Sequence, residues 1–171
     1  MIPLVFTPDH IRIGLAGGGA PAARRLAALR AGGAEPVVVA ADDTALAGLN
    51  LLYIAGLDLG PAEKLATVAR AAGVLVNVED VPALCDFHAV AEVRRGDLLL
   101  TVSTGGAAPG LAGVIRRALE VLFPAAWAER VAEVAALRKG WRAENLPMAE
   151  AAKRIEAMVR ERCWLPSPKA D

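Results

Sequence analysis

The sequence predicts an α/β fold built on a parallel sheet, and three observations carry that prediction. Four short apolar runs, residues 11–16 (IRIGLA), 35–40 (EPVVVA), 50–56 (NLLYIAG) and 74–78 (VLVNV), are continuous rather than alternating, as strands buried on both faces are. Helix-like segments separate the first run from the second and the third from the fourth, the rhythm of βαβ units. After Pro82 that rhythm stops, and the chain gives two strand-like runs followed only by helices.

Taken in order, the first strand runs into Gly17-Gly18-Gly19, and APAARRLAALRAGG follows as a helix. Pro21 suits its first turn, and Gly32-Gly33 suit its stop. The second strand ends at Ala41, Asp42 and Asp43. Residues 61–72 form the next helix, with Gly73 as its stop, and the fourth strand breaks at Glu79 and Asp80 before Pro82. Runs 87–93 and 98–103 flank Arg95-Gly96-Asp97 and read as an antiparallel hairpin. A helix is expected over 109–122, and two more, AAWAERVAEVAALRKGW and MAEAAKRIEAMVRERCW, repeat apolar residues at three-to-four spacing. The tail LPSPKAD reads as frayed.

Composition narrows the function. The 171 residues carry 19 basic and 19 acidic side chains, so no whole-molecule field points to nucleic acid or membrane. Apolar residues make up 55% with only 4% aromatic, a mix suited to close helix-on-sheet packing and not to disorder. No apolar run approaches the ~20 residues a membrane helix needs, and the N-terminus lacks the basic leader of a signal peptide. Cys85 and Cys163 form neither a CxxC pair nor a metal spacing. Free thiols in a reducing cytoplasm are the simplest reading.

Gly17-x-Gly19-x-x-Ala22 is a GxGxxA fingerprint. Gly17 permits a tight turn, Gly19 admits a pyrophosphate near the backbone, and Ala22 allows close helix–strand packing. Gly19, Ala20 and Pro21 open the helix, whose free N–H groups attract phosphate. Asp42 lies about 20 residues further on, where a carboxylate can bind an adenosine ribose hydroxyl. Together these predict a dinucleotide site of Gly17, Gly19, Ala20, Pro21, Ala41 and Asp42. The competing reading is that the glycines serve a tight turn alone.

Three blocks carry a narrower resemblance. GGGAPAARR is similar to Gly-Gly-Gly-x-Val-Ala-x-Arg-Lys, with Pro21 for the valine and Arg25 for the lysine. VNVEDVPALCDF resembles Val-Asn-Val-x-Asp-x-Pro-x-Leu-Cys-Asp-Phe, and STGGAAPGLA resembles Ser-Thr-Gly-Gly-x-Ser-Pro-x-Leu-Ala. The interval between the last two fits as well, and AALRKGWRAENLP resembles a helical-tail sequence. These are the motifs of the siroheme synthase N-terminal family, the precorrin-2 dehydrogenases and the bifunctional dehydrogenase/ferrochelatases, and the resemblance spans nearly the whole chain.

The resemblance implies a Rossmann-type NAD domain over 1–88, a β-hairpin/helix dimerisation segment over 89–122, and a small C-terminal helical domain over 123–171. It implies a homodimer, because a lone two-stranded hairpin is marginal until a second copy completes it. The implied reaction is oxidation of the tetrapyrrole precorrin-2 to sirohydrochlorin with NAD as cofactor. Some members also insert Fe2+ as a substrate, and the sequence leaves that second activity open. Asp80 matches the family's essential aspartate and would be the base; the residues alone favour a cap for the turn before Pro82. Ser103, Thr104 and Gly105 would line the substrate cleft, or make an ordinary strand-to-helix turn.

The substrate's many carboxylates call for a basic cleft. Arg24-Arg25, Arg94-Arg95 and Arg116-Arg117 are candidates, Arg116 foremost, since guanidinium forks suit carboxylates; such doublets also occur on solvated helix faces. Cys85 and His88, three residues apart with His10 remote, do not make a metal site. Cys85 reads as a small buried hydrophobe, with His88 held open as a residue near the substrate.

The chain departs from the family at Gly56-Leu57, where Thr-Asp is common, at Ala108, where serine is common, and at Ala41-Asp42, where Pro-Glu is common. The alternative reading is therefore a paralogue that binds nucleotide or tetrapyrrole and has lost the reaction. A Rossmann oxidoreductase for an unrelated small substrate is the third reading.

Overall fold

The computed structural model describes residues 2–42 and 46–166, so Asp43 and the tail from Ser167 lie outside the described residues. The chain divides into two compact units, Met1–Ala89 and Val90–Asp171.

In the first unit, β1 (Ile13–Gly17), β2 (Val37–Val39), β3 (Leu51–Ala55) and β4 (Leu75–Val78) form one four-stranded sheet in the order β2-β1-β3-β4. Every pairing is parallel, with Leu15 opposite both Val38 and Tyr53, and Ile54 opposite Val78. Helix α1 (Gly19–Ala31) connects β1 to β2, and α2 (Leu59–Ala71) connects β3 to β4. The two crossovers step outward from the centre in opposite directions, so their right-handed sense puts the helices on opposite faces.

The α2 face holds the core. Ala62, Leu65, Ala66 and Ala69 pack with Ala16, Val39, Leu52, Ile54, Val76 and Val78, closed by Leu46 and Leu49 from the connection before β3. Small alanines on α2 let it lie close to the sheet. The α1 face is covered less completely than continuous apolar strands imply. No α1 residue is fully buried, and Val38 and Leu75 remain exposed on the outer strands. The expected helix stops hold: Gly33 and Gly73 both take the left-handed conformation just beyond the last turn, with φ of 83° and 78°.

In the second unit, β5 (Ala91–Arg95) and β6 (Leu98–Val102) pair antiparallel across the turn at Gly96. Helix α3 (Pro109–Leu122) packs on both strands, and α4 (Trp127–Ala143) and α5 (Met148–Glu161) follow. The hairpin begins four residues later than its sequence suggests. Phe87 is held elsewhere, by Asn77 and Tyr53 at the end of the loop that closes β4.

Candidate functional site

The strand order fixes where a ligand can lie. The chain leaves β1 toward β2 on one side, then returns to β3 on the other. Between the C-terminal ends of β1 and β3 the two connections diverge, which is the usual ligand position in open parallel sheets.

The glycine loop sits at that point. Gly17 has φ of 113°, and a Cβ there would stand 1.9 Å from the Ala55 carbonyl oxygen. That carbonyl accepts the Gly18 N–H at 3.1 Å. Gly56, with φ of 74°, is equally confined, since its Cβ would lie 2.2 Å from the Gly18 oxygen. The loop and the exit of β3 therefore interlock through three glycines. Gly18 caps α1 in an extended conformation with no side-chain hydrogen bond. Its N–H is taken by Ala55, and Pro21 has none, so the first turn leaves the Gly19 and Ala20 N–H groups for an anion. Ala41 and Asp42 are exposed beyond the end of β2, beside β1.

At the same edge, β4 ends in a tight turn over Val78–Val81, closed by the Val81 N–H to the Val78 oxygen at 3.3 Å. Asp80 is its third residue, with φ of 61°, a left-handed conformation that aspartate tolerates better than most side chains. Its carboxylate is exposed and makes no hydrogen bond or ion pair among the described residues. Beside it, Glu79 donates its backbone N–H to the Ile54 oxygen at 2.9 Å. Its side chain meets the Arg24 guanidinium at 3.4 Å, while Oε2 is buried without a hydrogen-bond partner.

The LCDF segment is bound into the fold. Half-buried Cys85 packs against the apolar core, as its sequence suggests, and its thiol also donates to the Val78 oxygen at 3.2 Å and accepts the Val78 N–H at 3.3 Å. Asn77, buried in register with Tyr53, donates its side-chain amide to the Phe87 oxygen at 2.8 Å. The Phe87 ring meets Tyr53 edge-on at 5.1 Å, and Arg25 lies over that tyrosine at 5.0 Å. Arg24 and Arg25 are thus engaged in holding α1 to the sheet. His88 is exposed. Among the described residues, no group of three or more metal-ligating side chains gathers.

In the second unit, Ser103 Oγ accepts the Gly105 N–H at 3.2 Å and Thr104 Oγ1 accepts the Ala108 N–H at 3.2 Å. The hydroxyls shape a turn in which Gly105 and Gly106 have φ of 67° and 82°, and each keeps its own proton to donate. Arg94 pairs with Glu92, and Arg95 donates to the Phe123 oxygen at the end of α3 at 2.7 Å. Arg116 pairs with Glu120, whereas exposed Arg117 makes no ion pair among the described residues.

A family model described as "Putative NAD(P)-binding" matches residues 43–91. The siroheme synthase of Nitrosococcus oceani is 37% identical over 133 residues, which cover 65% of this chain and 28% of that protein. The siroheme synthase of Pseudomonas putida is 42% identical over 106 residues, 61% of this chain and 23% of that protein. The chain is a homologue of the siroheme synthases. It spans less than a third of the length of these two relatives. A solved structure described as "SirC, precorrin-2 dehydrogenase" shares the fold, with a TM-score of 0.67 over 93% of this chain and 89% of that one, at 19% identity.

Sequence reasoning missed Arg70, Asp86 and Glu79 as contributors to this edge. Asn77 carried a readable signal, since a polar side chain inside an apolar strand needs a buried partner.

Proposed function

We propose that the chain oxidises precorrin-2 to sirohydrochlorin, with NAD+ as hydride acceptor and Asp80 as the base. The observation that supports this most is the shared edge. The phosphate-ready N–H groups of Gly19 and Ala20 and the free carboxylate of Asp80 lie at the C-terminal ends of one parallel sheet. A dinucleotide fits the residues present: Gly17 and Gly56 have no room for a side chain, the space beside Gly18 and Gly19 is open, the first turn of α1 offers two donors, and Asp42 stands beyond β2 for a ribose hydroxyl. NAD+ supplies a two-electron acceptor that leaves the macrocycle with one hydride and one proton fewer. Asp80, unpaired and exposed, takes that proton. The Asp42 carboxylate repels a 2′-phosphate, which favours NAD over NADP.

In the second unit, the Ser103 and Thr104 hydroxyls, the Gly105 backbone, Arg116 and Arg117 are the candidate contacts for substrate carboxylates, with Arg117 the least committed to other partners. The two-stranded sheet of β5 and β6, with Leu111, Val114 and Val121 exposed on α3, supports a homodimer. Two free thiols suit the cytoplasm. Fe2+ insertion into sirohydrochlorin is a second proposed activity, drawing on the same unpaired carboxylate as proton acceptor.

A second reading is a binding module without the reaction. Gly56 and Ala108 favour it, because neither position carries the hydroxyl common in the family. The test is to mix the purified protein with precorrin-2 and NAD+ and follow the visible spectrum. Formation of sirohydrochlorin is expected; bound tetrapyrrole with an unchanged spectrum would leave only the binding module.

A further inference from the structure

Asp80 sits in a conformation that most side chains avoid, at the tip of a turn where its own carboxylate is tied to nothing. A left-handed residue of this kind persists where its surroundings over-determine the backbone, and here the fixing comes from the two arms of the loop. Asp86 joins three elements. Its Oδ2 accepts the Val76 N–H at 2.9 Å, and its own N–H bonds the Val76 oxygen at 2.7 Å. Arg70, from the last turn of α2, bonds the carboxylate through Nε at 3.0 and 3.2 Å and sends Nη2 to the Leu84 oxygen at 2.8 Å. The returning arm is thereby fastened both to β4 and to the helix behind it, with the Cys85 thiol and the Asn77 amide closing the gap between the arms.

We infer that Asp86, acting with Arg70, is a positioning residue for Asp80: it fixes the turn that aims the Asp80 carboxylate and touches neither cofactor nor substrate. The inference rests on the proposal that Asp80 is the base. Its chemistry is that of a charge-assisted clasp, in which one carboxylate satisfies a backbone amide and a guanidinium at once. A carboxylate displaced by an ångström loses about tenfold to a hundredfold in rate, while binding groups elsewhere are untouched.

Asp86→Asn and Arg70→Met test it, the second leaving the Asp86–Val76 bonds in place should the first fold poorly. Four quantities are read on each: kcat, KM for precorrin-2, the stoichiometry and Kd of NAD+, and amide exchange across residues 78–81. The expected result is kcat down about tenfold or more, with KM within a factor of about two, one NAD+ per chain at unchanged Kd, and faster exchange confined to the turn. Full kcat in both variants, or a rate that falls only in proportion to NAD+ stoichiometry, overturns the inference. A wild-type protein that binds NAD+ but does not turn over precorrin-2 instead overturns the functional proposal.

Discussion

Gly56 passes beneath Gly18 so closely that a Cβ on Gly56 would stand 2.2 Å from the Gly18 carbonyl oxygen. The glycine loop and the exit of β3 therefore depend on each other. Replacing Gly56 by threonine, the residue common in the family, forces both a left-handed strain of roughly 1–3 kcal/mol and a displacement of the loop. Gly56→Thr is expected to weaken NAD+ binding at least tenfold and to lower Tm, read by titration calorimetry and thermal melts. Unchanged binding would mean the loop reaches the cofactor in another conformation.

Asp42 is expected to set cofactor choice. Asp42→Asn removes the charge that opposes a 2′-phosphate, and a hydrogen bond to a charged acceptor is worth about tenfold in affinity. NAD+ should bind more weakly and NADP+ more tightly, so the ratio of the NADP+ Kd to the NAD+ Kd falls. A ratio that stays constant removes Asp42 from the ribose site.

Asn77 carries a structural prediction. Asn77→Ala leaves the Phe87 oxygen without its donor and opens space beside Tyr53. The loss is expected to be about 1–3 kcal/mol, measured by urea unfolding at constant m-value. A cost below about 0.5 kcal/mol would show that water replaces the amide.

One ion pair gives a pH signature. Bidentate hydrogen bonds from Arg30 hold the Glu35 carboxyl below its ordinary range, and the same carboxylate raises Arg30. A depressed carboxyl stabilises the fold above its unfolded pKa and loses that contribution as pH falls through its folded value. Both groups are solvent-exposed, so the effect is small and screened by salt. Glu35→Gln should therefore lower Tm slightly at about pH 7 in low salt, with the gap to wild type closing as pH falls through the depressed carboxyl's range; a gap that widened on acidification would contradict the pairing.

Much of this arrangement was legible in the sequence, for identifiable reasons. The parallel strands and the stops at Gly33 and Gly73 follow from local rules: continuous apolar runs, and glycine where φ turns positive. Helix α3 begins at Pro109 as expected, because proline loses nothing in a first turn. The clasp was not legible. Arg70, Val76 and Asp86 are brought together by the crossover geometry of α2 and β4, and no local pattern marks an arginine that faces a returning loop. Cys85 is legible as a small residue packed on the core, while only the fold sets its thiol against Val78. The interlock of Gly17, Gly18 and Gly56 is partly visible: Gly17 opens the fingerprint, Gly18 fills one of its unspecified positions, and Gly56 lies just past the end of β3.

The most direct test of the central proposal compares wild type with Asp80→Asn. Asparagine keeps the shape and tolerates the left-handed turn at position 80, so the fold and NAD+ binding should stay intact while the proton acceptor is lost. Single-turnover conversion of precorrin-2 with saturating NAD+, followed in the visible spectrum, is expected to slow at least a hundredfold in the variant. Equal rates in the two proteins, with NAD+ bound by both, would contradict Asp80 as the base.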